Sequence, residues 1–452
     1  MCKDHDLKYH LDGARIWNAS VKKGIDFSLF GELFDTISVC LSKGLGCPVG
    51  SLLLCSDKDF NSAIKYRKMF GGGMRQSGYL AACGLYALEN NINRLEDDHK
   101  KAKENKDSVL VFMDGAMQSQ LSVVNSDTKT ISVTSLKRDP IPDWAIKLNS
   151  KKHSQNMDEL FNLNTTLMED GAIINISNNK AIADTIYIIH VGNNDGFYNY
   201  RHMINVQNGA HVNIFEFKIS NKTDIEALYT SSIIWKIGDN CVVNNVKYQA
   251  HNQVTIGFNQ QYADIDNNTE FNSFTISSGS KLLREFRDIN CNGSNSNISI
   301  SGINLLDGDS HIDTMLSVKH KAPNTISREK YKSILNDNSK GVFQGNIIVD
   351  DIAQKTIAKQ SIDALILSKN AEHDAKPELE IYADDVQCGH GATTGQISQD
   401  SLFYLKSRGI PEEEAKRLLV HAFLTDALEE IKDKKILETF ADAMNNLSLI
   451  HI

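Results

Sequence analysis

The chain has 452 residues, 41% hydrophobic and 23% charged, with a formal net charge of −9 at pH 7. That describes a globular protein long enough for two or more cores, and the acidic balance excludes a general nucleic-acid binder. No apolar run reaches the ~18 residues of a transmembrane helix, the opening Met-Cys-Lys-Asp-His-Asp is too polar for a secretory signal, and the eight cysteines contain no Cys-x-x-Cys pair. A reducing, cytoplasmic setting is therefore expected, with neither a disulfide framework nor a closed zinc site.

In chain order, the first hundred residues carry three motifs. Residues 9–19 hold Asp12 and Arg15, residues 38–51 hold Ser-Lys-Gly with Lys43, and the Gly-rich stretch 71–78 holds Arg75. Between and after them, 59–70 and 78–95 place apolar residues at helical spacing. Taken singly, each of these charged residues reads as a solvated surface group. Together and in this order, the motifs closely resemble L-threonine aldolase, a fold-type-I family that uses pyridoxal phosphate (PLP). The resemblance, over about residues 1–105, implies that Lys43 forms the Schiff base with the cofactor. It also implies that Asp12 pairs with the pyridinium nitrogen, that Arg15 sits near the cofactor, and that Arg75 holds the substrate carboxylate with two donors. The half of that family which cradles the phosphate and stacks a His on the ring would precede Met1. His5 and His10 are too close to Asp12 to be that His. The family's small C-terminal domain has no counterpart either, because the sequence changes character just after Asp98-His99. Residues 1–107 are thus expected to be a truncated α/β fragment of a PLP large domain, joined within one reading frame to a second part of different character. The motif should be vestigial, with PLP not bound and no threonine cleavage.

The charged segment 97–107 marks the boundary. A strand at 108–112 and a turn at Asp114-Gly115 open the second part. From 160 to 325 the sequence repeats a turn Gly followed by alternating apolar residues, as after Gly171, Gly209, Gly238, Gly279 and Gly308, without a fixed period. Many short strands of this kind suit a sandwich, a barrel or a β-helix. The six prolines in the whole chain are compatible with stacked ladders.

The stretch 376–396 concentrates the chemistry. Apolar Leu379, Ile381 and Ala383 alternate as in a half-buried strand, and a Gly-rich turn with Cys388 and His390 is expected next. Residues two apart on extended backbone point to one side, so the thiol and the imidazole can share a site. They make a soft ligand pair suited to iron, zinc or sulfur chemistry. Standing alone, a Cys-x-His reads as a buried thiol beside a turn histidine. The residues around it, with 328–349, Ala353-Gln-Lys-Thr356, Leu365-Ile-Leu-Ser368 and 402–411, closely resemble the SufD family, scaffold subunits of Suf-type iron–sulfur cluster assembly. The likeness runs from about 108 to the C-terminus and is most specific between 328 and 423.

That resemblance implies a mainly β protein. Its expected parts are a right-handed parallel β-helix at 108–395 and a C-terminal helical domain at 396–452. It implies a scaffold role beside a SufB-like subunit, docking of a SufC-like ATPase through the C-terminal helices, and handling of a transient iron–sulfur cluster, with His390 as ligand and Cys388 assisting. In the tail, Pro411 and Glu412–Glu414 suit a helix start, and Leu418, Leu419, Ala422, Phe423, Ala427 and Ile431 are predicted as its apolar stripe, packed against a second helix at 435–447. Two other classes stay open on the residues alone. One is a PLP-dependent lyase with an accessory β domain. The other is a carbohydrate-active β-helix using exposed acids such as Asp264, Asp266 and Asp309, which solvated turn positions explain better.

Overall fold

A computed structural model describes residues 7–47, 49–70, 72, 77–96, 107–124, 130–150, 158–179, 181–220 and 226–428. The chain divides into two compact units, Met1–Lys106 and Asp107–Ile452.

In the first unit, β1 (His10–Gly13) runs parallel to β2 (Thr36–Cys40), which pairs antiparallel with β3 (Ser51–Cys55). The helices are α1 (Ile16–Lys23), α2 (Ser28–Leu33), α3 (Asp57–Met69) and α4 (Gly78–Asn90). Ile16, Ile37 and Val39 form one small core, and Leu41, Leu45, Ala87 and Leu95 another. Much apolar surface stays open: Leu52, Leu53 and Leu54 of β3 are each about half exposed, and Phe70 is 84% exposed.

The second unit is a parallel β-helix. It opens with β4 (Ser108–Met113), β5 (Ala116–Met117), β6 (Ile131–Ser135), α5 (Asp143–Asn149), α6 (Asp158–Leu167) and β7 (Ala172–Ile176). The coils come next: β8 (Ala181–Gly192), β9 (Gly196–Val206), β10 (His211–Ser220), β11 (Ala227–Ile237), β12 (Val242–Ala250), β13 (Ile256–Ile265), β14 (Glu270–Ser278) and β15 (Leu282–Cys291). Then come β16 (Asn297–Leu306), β17 (His311–His320), β18 (Ile326–Leu335), β19 (Lys340–Val349), β20 (Ile357–Ile366), β21 (Glu372–Ile381) and β22 (Gln387–Gln396). From β7 on, even-numbered strands build one sheet and odd-numbered strands the other, so the chain changes sheet at every turn and returns one rung further on, while β5 pairs antiparallel with β4 at the end of the first sheet and β6 with β7 at the end of the second. Inward positions fill a continuous core, from Leu110 and Phe112 through Trp235, Phe271 and Ile300 to Tyr331, Phe343 and Ile362.

The turn signals have a physical role. At one corner of successive coils the backbone is left-handed at Asn179, Gly209, Asn240, Asn268, Asn295, Asn324 and Lys355. Asn and Gly tolerate that conformation best. Each of these N–H groups donates to a corner carbonyl of the next coil, as Asn240 does to Asn267 at 2.8 Å and Asn324 to Gln354 at 2.9 Å. Gly and Asn share the task, and coils vary in length: 27 residues separate Asn268 from Asn295, and 31 separate Asn324 from Lys355. That variation is why the sequence shows no fixed period.

Helices cover both outer faces. Ala145, Leu148 and Phe161 of α5 and α6 pack on Met203, Ile234, Tyr262 and Phe286 of the odd sheet. Arg201, fully buried there, donates Nε to Asn164 at 3.0 Å and Nη2 to the Phe161 carbonyl at 3.0 Å. Helix α6 overlaps the start of the region, 160–325, read from sequence as short β-rich segments. On the even sheet, α7 (Gln399–Ser407) leads to α8 (Glu412–Leu428). The buried face of α8 is Ala415, Val420, Leu424, Ala427 and Leu428, the last four packed with Phe274, Ile303, Leu305, Ile334 and Leu365. This corrects the predicted stripe in part: Ala427 and Phe423 pack on the sheet, whereas Leu418 and Ala422 are exposed. Leu418 is 48% exposed, because the partner of α8 is the flat sheet, which selects a different phase. Ile431 and the helix expected at 435–447 lie outside the described residues.

Candidate functional site

The site sits at the C-terminal end of the β-helix, where β21 and β22 are the last strands of their sheets. The Gly-rich stretch is an edge strand, not the turn expected from its glycines. Its backbone pairs with β20 throughout, and Gly389, Gly391 and Gly395 have open space around them. Cys388 pairs with Ala358 and His390 with Gln360. Ala358 and Gln360 are buried, inward-facing positions, so Cys388 and His390 share the inward parity of the last rung. The structure brings these two residues to one side of one strand.

Cys388 is half-buried and His390 exposed. Both line a cleft of about 710 Å³ with Arg328, Glu329, Lys330, Lys359 and Gln360. Burial pushes the Cys388 thiol up, and the Glu329 carboxyl adds to the effect. The resting group is therefore a thiol, which ligates once a cation draws off its proton.

Glu329 and Gln360 escaped the sequence reading. The register Glu329–Gln360–His390 crosses three neighbouring strands, β18, β20 and β22. Glu329 is 1% exposed and Gln360 3%, and neither end of either side chain has a hydrogen-bond partner. Burial pushes the Glu329 carboxyl up to about 8, and the nearby Ser327 hydroxyl tempers this without cancelling it. Strand parity was the available signal: Ser327, Glu329 and Tyr331 alternate on one face. Arg328 and Lys330 beside Glu329 disguised it as a charged surface run.

A second buried cluster lies near the other end. One ligand atom each from His190, His202 and Glu216 fall within 4.8 Å of one another. The Ala172 N–H donates to His202 Nδ1 at 2.9 Å, which places the proton of a neutral ring on Nε2. That nitrogen faces His190 Nε2 at 3.0 Å, so the pair is hydrogen-bonded rather than two lone pairs aimed at one ion. Burial keeps both rings neutral, lowering His190 well below its usual value and His202 to about 4. Further along the interior, Glu285 meets Lys247 at 3.6 Å and Arg287 at 3.1 Å. Burial opposes ionisation of Glu285, but these cations outweigh it and hold the carboxyl well below the usual range. Paired in this way, the charges are structural.

In the first unit, Asp12 lies within β1 near its carboxyl end and Lys43 follows the carboxyl end of β2, the edge where open α/β sheets bind ligands. Asp12 accepts from the Ala14 N–H at 3.1 Å and the Ser38 hydroxyl at 3.5 Å. Asp12, Arg15 and Lys43 are all exposed. The large cleft of this unit is lined instead by Trp17, Phe30, Phe34 and Leu54. The described residues therefore do not enclose a cofactor ring, and Arg75 lies outside them.

Comparison with known proteins falls into the same two parts. Residues 188–423 match the family described as SUF system FeS cluster assembly, SufBD core domain, and residues 1–128 match the beta-eliminating lyase family. The iron-sulfur cluster assembly protein SufD of Escherichia coli is 28% identical over 334 residues, covering 73% of this chain and 76% of that protein. An iron-sulfur cluster assembly SufBD family protein of Synechocystis is 29% identical over 338 residues, covering 72% and 74%. The low specificity L-threonine aldolase of Escherichia coli is 52% identical over 100 residues. The chain spans only 30% of that aldolase's length.

Proposed function

Since the chain belongs to the SufBD core family of the SUF iron–sulfur cluster assembly system, we propose that it is a scaffold subunit of that assembly, acting beside a SufB-like subunit and a SufC-like ATPase. The observation that carries this reading is the open last coil: two edge strands with free backbone groups, and Cys388 and His390 on the inward side of one of them. An unpaired strand edge is a template for another strand, so a partner of like fold can continue the ladder there. A cluster handled at that junction receives an imidazole nitrogen from His390, with the Cys388 thiol next to it. Iron and sulfide are cargo here, and the chain supplies donors and an open cleft. No helix among the described residues is long and apolar enough to cross a membrane.

We assign ATPase docking to α7, α8 and the residues after them. Phe403 and Tyr404 of α7 are 74% and 60% exposed, an apolar contact surface beside the covered sheet. The scaffold role rests on the second unit alone. The test is reconstitution of the full chain with a SufB-like subunit and the ATPase. His390→Ala is expected to abolish cluster formation while the complex still assembles. Full activity in that variant would overturn the site assignment, and a complex unaffected by removing residues 397–452 would overturn the docking role.

A further inference from the structure

The interior behind His390 is built of polar groups that the scaffold role does not use. Glu329, Gln360 and His390 occupy matching positions on β18, β20 and β22, about 4.8 Å apart from strand to strand. Gln360 stands in the middle, buried, with its amide oxygen and nitrogen both unpartnered. Glu329, one strand deeper, has two unpartnered carboxyl oxygens. Buried polar groups are normally bonded, so this row is costly unless it is completed in the working state. The opposite sheet makes room for it: Gly345 faces Gln360, where a Cβ would come within 2.7 Å of the amide carbon.

We propose that Gln360 and Glu329 form an inward hydrogen-bond relay that orients His390 for a divalent transition-metal cation. One ring N–H of His390 donates to the Gln360 amide oxygen, and the Gln360 amide N–H donates to Glu329. The other ring nitrogen is then fixed as a lone pair facing the cleft and the Cys388 thiol. Histidine ligands are commonly held in this way by a partner on the far nitrogen. Both residues are positioning residues, since neither needs to touch the cation. The inference rests on the reading of His390 as a ligand.

The experiment uses the full chain, cobalt(II) as the probe followed by its visible absorption, and 15N NMR of labelled histidine to read the His390 tautomer without metal. His390→Ala identifies the resonance and tests the ligand reading. Gln360→Met, matched in length and apolar, is expected to mix the tautomers and weaken cobalt binding by about 10- to 100-fold. The exchanged pair Glu329→Gln with Gln360→Glu keeps an acceptor beside His390 and should retain one tautomer and bind within a few-fold of the parent. If His390→Ala leaves cobalt binding unchanged, the ligand reading falls and the relay with it. If His390→Ala abolishes binding but Gln360→Met keeps a single tautomer and the parental affinity, the relay alone is overturned. An exchanged pair as impaired as Gln360→Met also overturns it.

Discussion

Gly345 and Gln360 face each other across the β-helix interior so closely that a Cβ at position 345 would collide with the Gln360 amide nitrogen. The atom in the way is the far end of a flexible side chain, so Gly345→Ala can be absorbed by swinging the amide aside. We expect a stability change below about 1 kcal/mol, together with weaker cobalt binding. Chemical denaturation and a cobalt titration on the same preparation check this. A large loss of stability with unchanged binding would show that Gly345 serves packing alone.

Glu329 predicts a pH dependence. Its folded value, about 8, lies above the ordinary 4.5. Between these values the folded chain binds more protons than the unfolded one, so this group makes stability fall as pH rises from about 4.5 to about 8, and flattens beyond. Glu329→Gln removes that slope. Urea unfolding at pH 5 and pH 8 should show a wild-type loss exceeding the variant's by a few kcal/mol; equal losses would mean that Glu329 ionises normally.

Asn164 holds together the flank of the odd sheet. Its oxygen accepts from Arg201, and its nitrogen donates to the Tyr200 carbonyl and to Thr230. Asn164→Ala leaves the Nε of a buried guanidinium, already lowered to about 10 by burial, without its acceptor, although Asn149 and the Phe161 carbonyl still hold the other nitrogens. A loss of about 2–4 kcal/mol is expected, read as a fall in thermal midpoint. The double change with Arg201→Met should recover part of it.

The first unit gives the fourth prediction. Asp12, Arg15 and Lys43 share an open edge that does not enclose a ring, so purified chain incubated with PLP and borohydride should carry no label on Lys43, and threonine should yield no acetaldehyde. Label found there and lost in Lys43→Ala would reverse this.

Strand alternation, the corner residues and the Cys388–His390 pair were legible in the sequence because each is local. Parity along a strand says which residues share a face, yet it does not say whether consecutive strands pair or alternate between two sheets; the coil came from family likeness. The phase of α8 was only partly legible, Phe423 and Ala427 facing the core but Leu418 and Ala422 not, because a helix on a flat sheet buries a different arc from one in a helical pair. Glu329 stayed hidden because its neighbours Arg328 and Lys330 carry charge on the outward face, and composition cannot separate the two sides of a strand. The strand nature of 387–396 was obscured by glycines, which a single-sided edge tolerates.

Strands β21 and β22 have consequences beyond recognition. In a solenoid each coil is stabilised by its two neighbours, and stability is close to a sum of nearest-neighbour terms. The final coil has a neighbour on one side only, so its opening free energy depends on what abuts it. Amide hydrogen exchange in 372–396 should therefore be fast in the isolated chain and slow steeply with partner concentration. On that account an abutting strand tightens the backbone that carries Cys388 and His390, and the affinity of the pair for a cation should rise with it.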